Sequence, residues 1–386
     1  DPITIADFQS RIGSDLAVTL DKPTGFSRSK KYATHTVDVS YRGALDTIRK
    51  LVESDTVWVG PIQGGLFDEL VAQSTRNLVK AGFKMLALGS PTQIMENYLF
   101  DELVKMIMAA KQSMPYSTPL HLFGAGHPLT MALSVALGCD TFDSASYILF
   151  AKQGRYMTER GTLKLERMTY LPCSCPVCIS TSSKELSEME KAERARKVAI
   201  HNLYVLREEL LKCKEAIAEG RLWDLVEEKA NSHPSVTRAF IEMARRAESL
   251  TPGTPMLRER GLMVRSKLDR LRPELSIARD HLHGVFRKRA RSAALIASDE
   301  NKPLVRMKVY QDLLSRSKGR DVDLYRVHPD LGVYPAELEF VYPFTQTIRA
   351  ESPTSAGVLK ESIRRLRTLG YTKILLCDSK SVRRTI

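Results

Sequence analysis

Between about residue 8 and residue 147, short apolar runs alternate with longer amphipathic ones, and this rhythm constrains the fold more than any other feature of the chain. Short runs rich in Val, Leu and Ile suit strands buried on both faces, and the longer segments carry apolar residues at helical spacing. Strands are expected at Leu16–Leu20, Val57–Gln63, Met85–Gly89, Leu120–Gly124 and Thr141–Ser144. Helices are expected at Leu66–Ala81 and Leu103–Ser113. Strand and helix in this order give a parallel sheet, either a (β/α)8 barrel or a doubly wound sheet. The strands run into turns carrying polar or glycine residues: Asp21, Gln63-Gly64-Gly65, Gly89-Ser90, Gly124-Ala125-Gly126-His127 and Asp143. Polar groups gathered at the C-terminal strand ends are the layout of a barrel's active-site face.

A second fixed point is Cys173-Ser174-Cys175-Pro176-Val177-Cys178, followed by His201, in a chain with only six cysteines. Three thiolates on a tight knuckle and one imidazole form a closed tetrahedral zinc set, with no coordination position left for substrate. The expected Zn2+ is therefore structural. Cys139, Cys213 and Cys377 are scattered, which excludes a disulfide framework and fits a reducing cytoplasm.

The net charge of +13 suggests a polyanionic partner, nucleic acid before membrane, and no apolar run is long enough for a membrane span. The organisation expected along the chain is a partial barrel over 1–165, a zinc-binding part with the final barrel helices over 166–250, a basic helical segment over 251–330 and an accessory region over 331–386. Lys184–Glu219 reads as helix, Trp223–Leu250 as helix broken near Ser232-His233-Pro234, and Thr251-Pro252-Gly253-Thr254-Pro255 as a breaker. Arg258–Arg291 holds eleven Arg and Lys against four Asp and Glu, a pattern equally suited to a solvated helix face and to RNA contact. Val358–Leu369 reads as a basic helix leading to a strand at Lys373–Cys377.

Asp143, just after the fifth strand, could attack a sugar carbon as a retaining glycosidase carboxylate does, a chemistry that needs a second acidic group. By position alone a capping Asp is the commoner outcome, and Asp140 competes for the role. Gln63 offers a donor and an acceptor beside glycines that let a flat ring approach. Gly124-Ala125-Gly126-His127-Pro128 lacks the spacing of a phosphate loop and reads as a turn shaping a pocket.

Taken together, IGSDLAVTLD, GPIQGG, HLFGAGHP, FDSASY, RYMT, LPCSCPVC and HNLYVLREEL resemble the archaeal tRNA-guanine transglycosylases over residues 1 to about 245. The resemblance implies a TIM barrel with a zinc-binding insertion. It also implies a pentosyltransferase that replaces guanine in the tRNA D-loop with the 7-deazaguanine preQ0, on the way to archaeosine. Asp143 would be the nucleophile at the ribose. Asp21, Gln63, Gly64, Gly89 and Ser90 would bind the base, and Cys173, Cys175, Cys178 and His201 would hold zinc. Ser90 departs from the two glycines usual at that turn. The family's acid/base Asp lies in an Asp-Ser-Gly-x-Phe-Gln motif before the point where this sequence starts, so the first barrel strands are expected outside it. An open five-stranded sheet with a free edge at Leu16–Leu20 is then expected. A homodimer or a complementing N-terminal chain would be the protein partner. The competing reading is a non-catalytic tRNA-binding paralogue or partner subunit. A glycoside hydrolase is disfavoured by the knuckle and the charge.

Overall fold

The computed structural model describes all residues except 51–55, 256, 298–302, 318–321, 345 and 351–355. The chain folds as two compact units, Asp1–Arg246 and Ala247–Ile386.

In the first unit, Asp1 caps α1 (Pro2–Arg11), its carboxylate accepting from the Thr4 N–H at 2.9 Å. Five strands follow in parallel and in chain order: β1 (Leu16–Val18), β2 (Val57–Ile62), β3 (Met85–Leu88), β4 (Leu120–Leu122) and β5 (Thr141–Phe142). They curl as a parallel half-barrel, consistent with a TIM-barrel-like fold. The connections are α2 (Lys30–Lys50), α3 (Asp68–Lys80), α4 (Thr92–Glu96) with α5 (Phe100–Lys111), and α6 (Pro128–Ala136). Ile62, Leu86, Leu88, Leu120 and Leu122 have no exposed surface, as strands covered on both faces require.

Among the described residues β1 pairs only with β2, and its Leu16 is 53% exposed. The Val18 N–H and C=O point away from β2, and the Gln9 side-chain amide takes both, at 3.0 and 2.9 Å. A side chain thus closes part of an otherwise open sheet edge.

Each of these five strands ends one or two residues before the sequence suggests, although the Thr19, Gly89 and Phe123 N–H groups still donate to the Val59, Ile62 and Leu88 carbonyls of the neighbouring strands. α7 (Ser146–Lys152) follows β5, and a hairpin of β6 (Arg155–Thr158) and β7 (Gly161–Lys164) leads to α8 (Pro176–Ile179). The helix expected over Lys184–Glu219 is two, α9 (Ser183–Glu188) and α10 (Lys191–Ala218). Glu190 divides them by turning back to cap α10, accepting from Ala192 N–H and Glu193 N–H. α11 (Leu222–Ala230) and α12 (Pro234–Arg245) complete the unit, with His233 as the cap and Pro234 in the first turn of α12.

The second unit departs from the basic helical segment expected over 251–330, while the helix and strand expected at Val358–Leu369 and Lys373–Cys377 are present. It is α/β, with β8 (Leu262–Val264), α13 (Pro273–Val285), β9 (Ser292–Ile296), α14 (Lys308–Ser317), β10 (Val322–His328), β11 (Gly332–Pro335), β12 (Thr347–Arg349), α15 (Ala356–Thr368), β13 (Lys373–Cys377) and β14 (Val382–Thr385). Its main sheet runs β11-β10-β9-β13-β14, and β8 pairs with β12. Part of the basic excess there is internal: Arg272 has no exposed surface and makes two bonds to Glu274, at 3.1 and 3.0 Å. Arg270 and Arg349 both meet the buried Asp330 carboxylate. No helix among the described residues is long and apolar enough to cross a membrane.

Candidate functional site

Parallel pairing puts the C-terminal ends of β1 to β5 along one edge of the sheet, so Asp21, Gln63, Gly89, Gly124 and Asp143 all leave the sheet there. Within that edge the structure forms two clusters.

The first joins Asp21, Gln63 and Ser90. Gln63 is fully buried, and its Oε1 accepts from Thr24 N–H at 2.8 Å and from the Ser90 hydroxyl at 3.1 Å. Those two donors fix the amide orientation, so Nε2 must face Asp21, to which it donates. Burial raises the Asp21 carboxyl above its ordinary value, and the Gln63 bond partly offsets this. Ser90 adopts φ +65°, a left-handed conformation unusual for a side chain, and its Oγ also accepts from Gly25 N–H at 3.0 Å. Gly64 donates to Thr24 Oγ1 at 3.2 Å, and a Cβ there would lie 2.6 Å from Val71 N. Gly89 lies so close to Gln63 that an added Cβ would sit 2.2 Å from Nε2.

The second cluster surrounds Asp143, whose side chain is 58% exposed. Its Oδ1 accepts from Gly124 N–H at 2.8 Å and meets His121 Nε2 at 3.1 Å. His121 Nδ1 lies 2.9 Å from Thr141 Oγ1. The Gly124-Ala125-Gly126 turn is shaped to the chain beside Asp143: a Cβ on Gly126 would fall 2.0 Å from Ser144. His127 caps α6 through Nδ1, and burial lowers its pKa to about 4. Asp140 lies at the opposite end of β5 and accepts from Leu120 N–H at 2.8 Å, a backbone-fastening role. Among the described residues no direct bond joins Asp143 to the Asp21 cluster.

His121, Thr141 and Thr24 are absent from the sequence-based set. The signal that could have found His121 is an imidazole between two buried leucines in a strand that runs into the GAGH turn.

After α7 in the chain, Cys173, Cys175, Cys178 and His201 place their ligand atoms within 4.8 Å of one another, a group able to hold a metal ion. Cys175 sits at the start of α8, His201 projects from α10, and the β6–β7 hairpin closes over them. His201 Nε2 donates to Met157 C=O at 2.9 Å, leaving Nδ1 to face Cys175 and Cys178 Sγ at 3.6 and 3.4 Å. A backbone carbonyl holding the distal nitrogen is the usual support for a histidine ligand. Burial lowers the His201 pKa to about 4, so its ring is neutral and its lone pair available. Tyr156 stacks on His201 with centroids 3.6 Å apart and meets Cys178 Sγ at 3.2 Å. Asn202 locks hairpin to helix, accepting from Met157 N–H at 2.9 Å and donating to Tyr147 C=O at 3.0 Å.

A family model described as queuine tRNA-ribosyltransferase matches residues 1–235. The chain is 46% identical over 252 residues to the tRNA-guanine(15) transglycosylase of Aeropyrum pernix, covering 65% of this chain and 49% of that protein. It is 36% identical over 351 residues to the Sulfolobus acidocaldarius protein of the same name, covering 89% and 68%. For that of Pyrobaculum aerophilum the identity is 39% over 362 residues, covering 92% and 72%. The chain thus spans between about half and 72% of the length of these relatives.

Proposed function

Because the chain belongs to the queuine tRNA-ribosyltransferase family, we propose that it performs base exchange on tRNA, replacing a guanine with preQ0 in archaeosine biosynthesis. The observation that carries this reading is the placement, along one sheet edge, of an acceptor cluster at Asp21 and a half-free carboxylate at Asp143.

In the proposed reaction the target nucleotide leaves its stack. A lone pair on Asp143 Oδ2 bonds to the ribose C1′, the glycosidic bond breaks, and its electron pair departs with guanine. The incoming base then attacks C1′ through its ring nitrogen, and the C1′–O bond returns its pair to Asp143. The proton that guanine gains is balanced by the one the incoming ring nitrogen loses. Asp21 would accept from the ring N–H and amino group of the base, while Gln63 orients Asp21 and offers its remaining amide hydrogen to the carbonyl edge. Gly64, Gly89 and Ser90 would form the backbone floor of that pocket.

Cys173, Cys175, Cys178 and His201 would hold one Zn2+. Four such ligands would brace the hairpin, α8 and α10 around the ion and leave no coordination position for the exchange reaction. A tRNA substrate implies a cytoplasmic location. The test is incorporation of labelled guanine, and then labelled preQ0, into unmodified tRNA by the protein. Incorporation at one tRNA position is expected. Binding of tRNA without incorporation would instead favour the non-catalytic subunit.

A further inference from the structure

Asp143 is held on one oxygen only. Oδ1 takes Gly124 N–H at 2.8 Å and His121 Nε2 at 3.1 Å, and among the described residues Oδ2 has no hydrogen-bond partner. An ionised carboxylate can only accept, so His121 must carry its hydrogen on Nε2 to make this bond. In the neutral ring Nδ1 then accepts, and the Thr141 hydroxyl at 2.9 Å is the donor that selects this tautomer. The arrangement follows from sheet register: His121 and Thr141 are partners across β4 and β5, and Thr141 lies two residues before Asp143, which follows the strand. Phe123 closes on the His121 ring edge-to-face at 4.8 Å, and the His121 side chain is only 15% exposed. The ring is held by packing and by Thr141 before it reaches Asp143.

We propose that His121, set by Thr141, is a positioning residue that selects which oxygen of Asp143 attacks. This rests on reading Asp143 as the nucleophile. With His121 and Gly124 both on Oδ1, rotation of the carboxylate breaks two bonds, and Oδ2 remains the oxygen with lone pairs free for C1′. When Oδ2 bonds to C1′ and the glycosidic bond breaks onto guanine, Oδ1 becomes the ester carbonyl oxygen. His121 keeps its proton throughout and goes on donating to that oxygen. Without His121 only the Gly124 N–H restrains the carboxylate, and a smaller share of conformers is ready to attack. Base binding, assigned to Asp21 and Gln63, is untouched.

The test is single-turnover formation of the denaturation-stable protein–tRNA adduct by the full-length protein, with steady-state exchange alongside. His121→Leu should slow adduct formation by roughly tenfold to a hundredfold, the range for losing one hydrogen bond to a charged group. KM for tRNA and for the base should stay within about twofold, because only the attacking geometry is lost. His121→Gln places an amide N–H near the position of Nε2 and should recover most of the lost rate. Thr141→Val should produce a smaller slowing of the same kind. Leu and Gln variants that are equally slow would reduce His121 to packing and overturn the inference, as would a wild-type rate in His121→Leu. Asp143→Ala, run in parallel, separates the two layers. An adduct that survives it removes the nucleophile reading itself, whereas its loss beside a full-rate His121→Leu removes only the role of His121.

Discussion

Gly89→Ala adds one methyl group at the most crowded point of the Asp21 cluster. The new Cβ would lie 2.2 Å from Gln63 Nε2, 3.0 Å from Gln63 Cδ and 2.9 Å from the Ile62 carbonyl oxygen. The Ile62 carbonyl belongs to β2 and already accepts from Gly89 N–H at 2.9 Å, so it cannot retreat without breaking the sheet. The Gln63 amide must move instead. Thr24, 3% exposed, then loses the acceptor of its N–H, Ser90 loses the acceptor of its hydroxyl, and Asp21 loses its donor. One orphaned buried donor costs about 1–3 kcal/mol, and the two partly solvated groups add less, for a total of about 2–4 kcal/mol. Urea unfolding followed by tryptophan fluorescence measures this, since both tryptophans, Trp58 and Trp223, lie in the first unit. Gly154→Ala is the comparator, with φ +65° and no atom within 4 Å of the added Cβ. It should cost only the left-handed backbone strain, about 1–2 kcal/mol. Calorimetry should show base affinity falling at least about tenfold in Gly89→Ala if Asp21 loses its orientation. A Gly89→Ala protein as stable as wild type, with unchanged base affinity, would refute the close packing of Gly89 on Gln63 and the role given to that amide.

Asp21→Asn should raise the unfolding midpoint at neutral pH while abolishing base binding. Burial holds the Asp21 carboxyl above 3.8, so the folded state binds that proton more tightly than the unfolded one. The ionised group therefore costs stability as pH rises through its raised value, and the neutral amide avoids that cost. By the same shift, base affinity in the wild-type protein should decline on acidification from a pH above 3.8, and an unchanged affinity down to that value would contradict it. Cys178→Ala should lose the metal, measured by elemental analysis, and hydrogen exchange should speed up in the β6–β7 hairpin and α8 while β2 and β3 stay protected. Retention of a full equivalent of zinc would remove Cys178 from the ligand set.

The half-barrel and the cysteine knuckle were legible because each is written locally. A strand buried on both faces must be a short apolar run, and β2 and β3 are such runs; a knuckle carries its thiols within six residues. What stayed hidden depends on register. His121 meets Thr141 and Asp143 only because β4 and β5 pair as they do, twenty residues apart, and a lone His in a strand carries no mark of that. The expectation of a basic helical segment over 251–330 fails for a related reason, whereas the helix and strand expected at Val358–Leu369 and Lys373–Cys377 are present. β9 and β10 lie amid many charges, and a count of Arg and Lys does not reveal that Arg272 ends fully buried against Glu274, or that Arg326 is paired with Glu339. The Gln63 amide was legible as a residue but not as a fixed orientation, which Thr24 and Ser90 supply from two other connections.

The central claim is that Asp143 forms the covalent bond to tRNA. Incubating the full-length protein with unmodified tRNA, denaturing it, digesting it and mapping the modified peptide by mass spectrometry tests that claim directly. The account predicts a ribose-linked tRNA fragment on Asp143 in the wild-type protein and no adduct in Asp143→Ala, with tRNA binding and zinc content retained. A fragment mapped to Asp140 or another carboxylate, or an adduct that persists in Asp143→Ala, would contradict it.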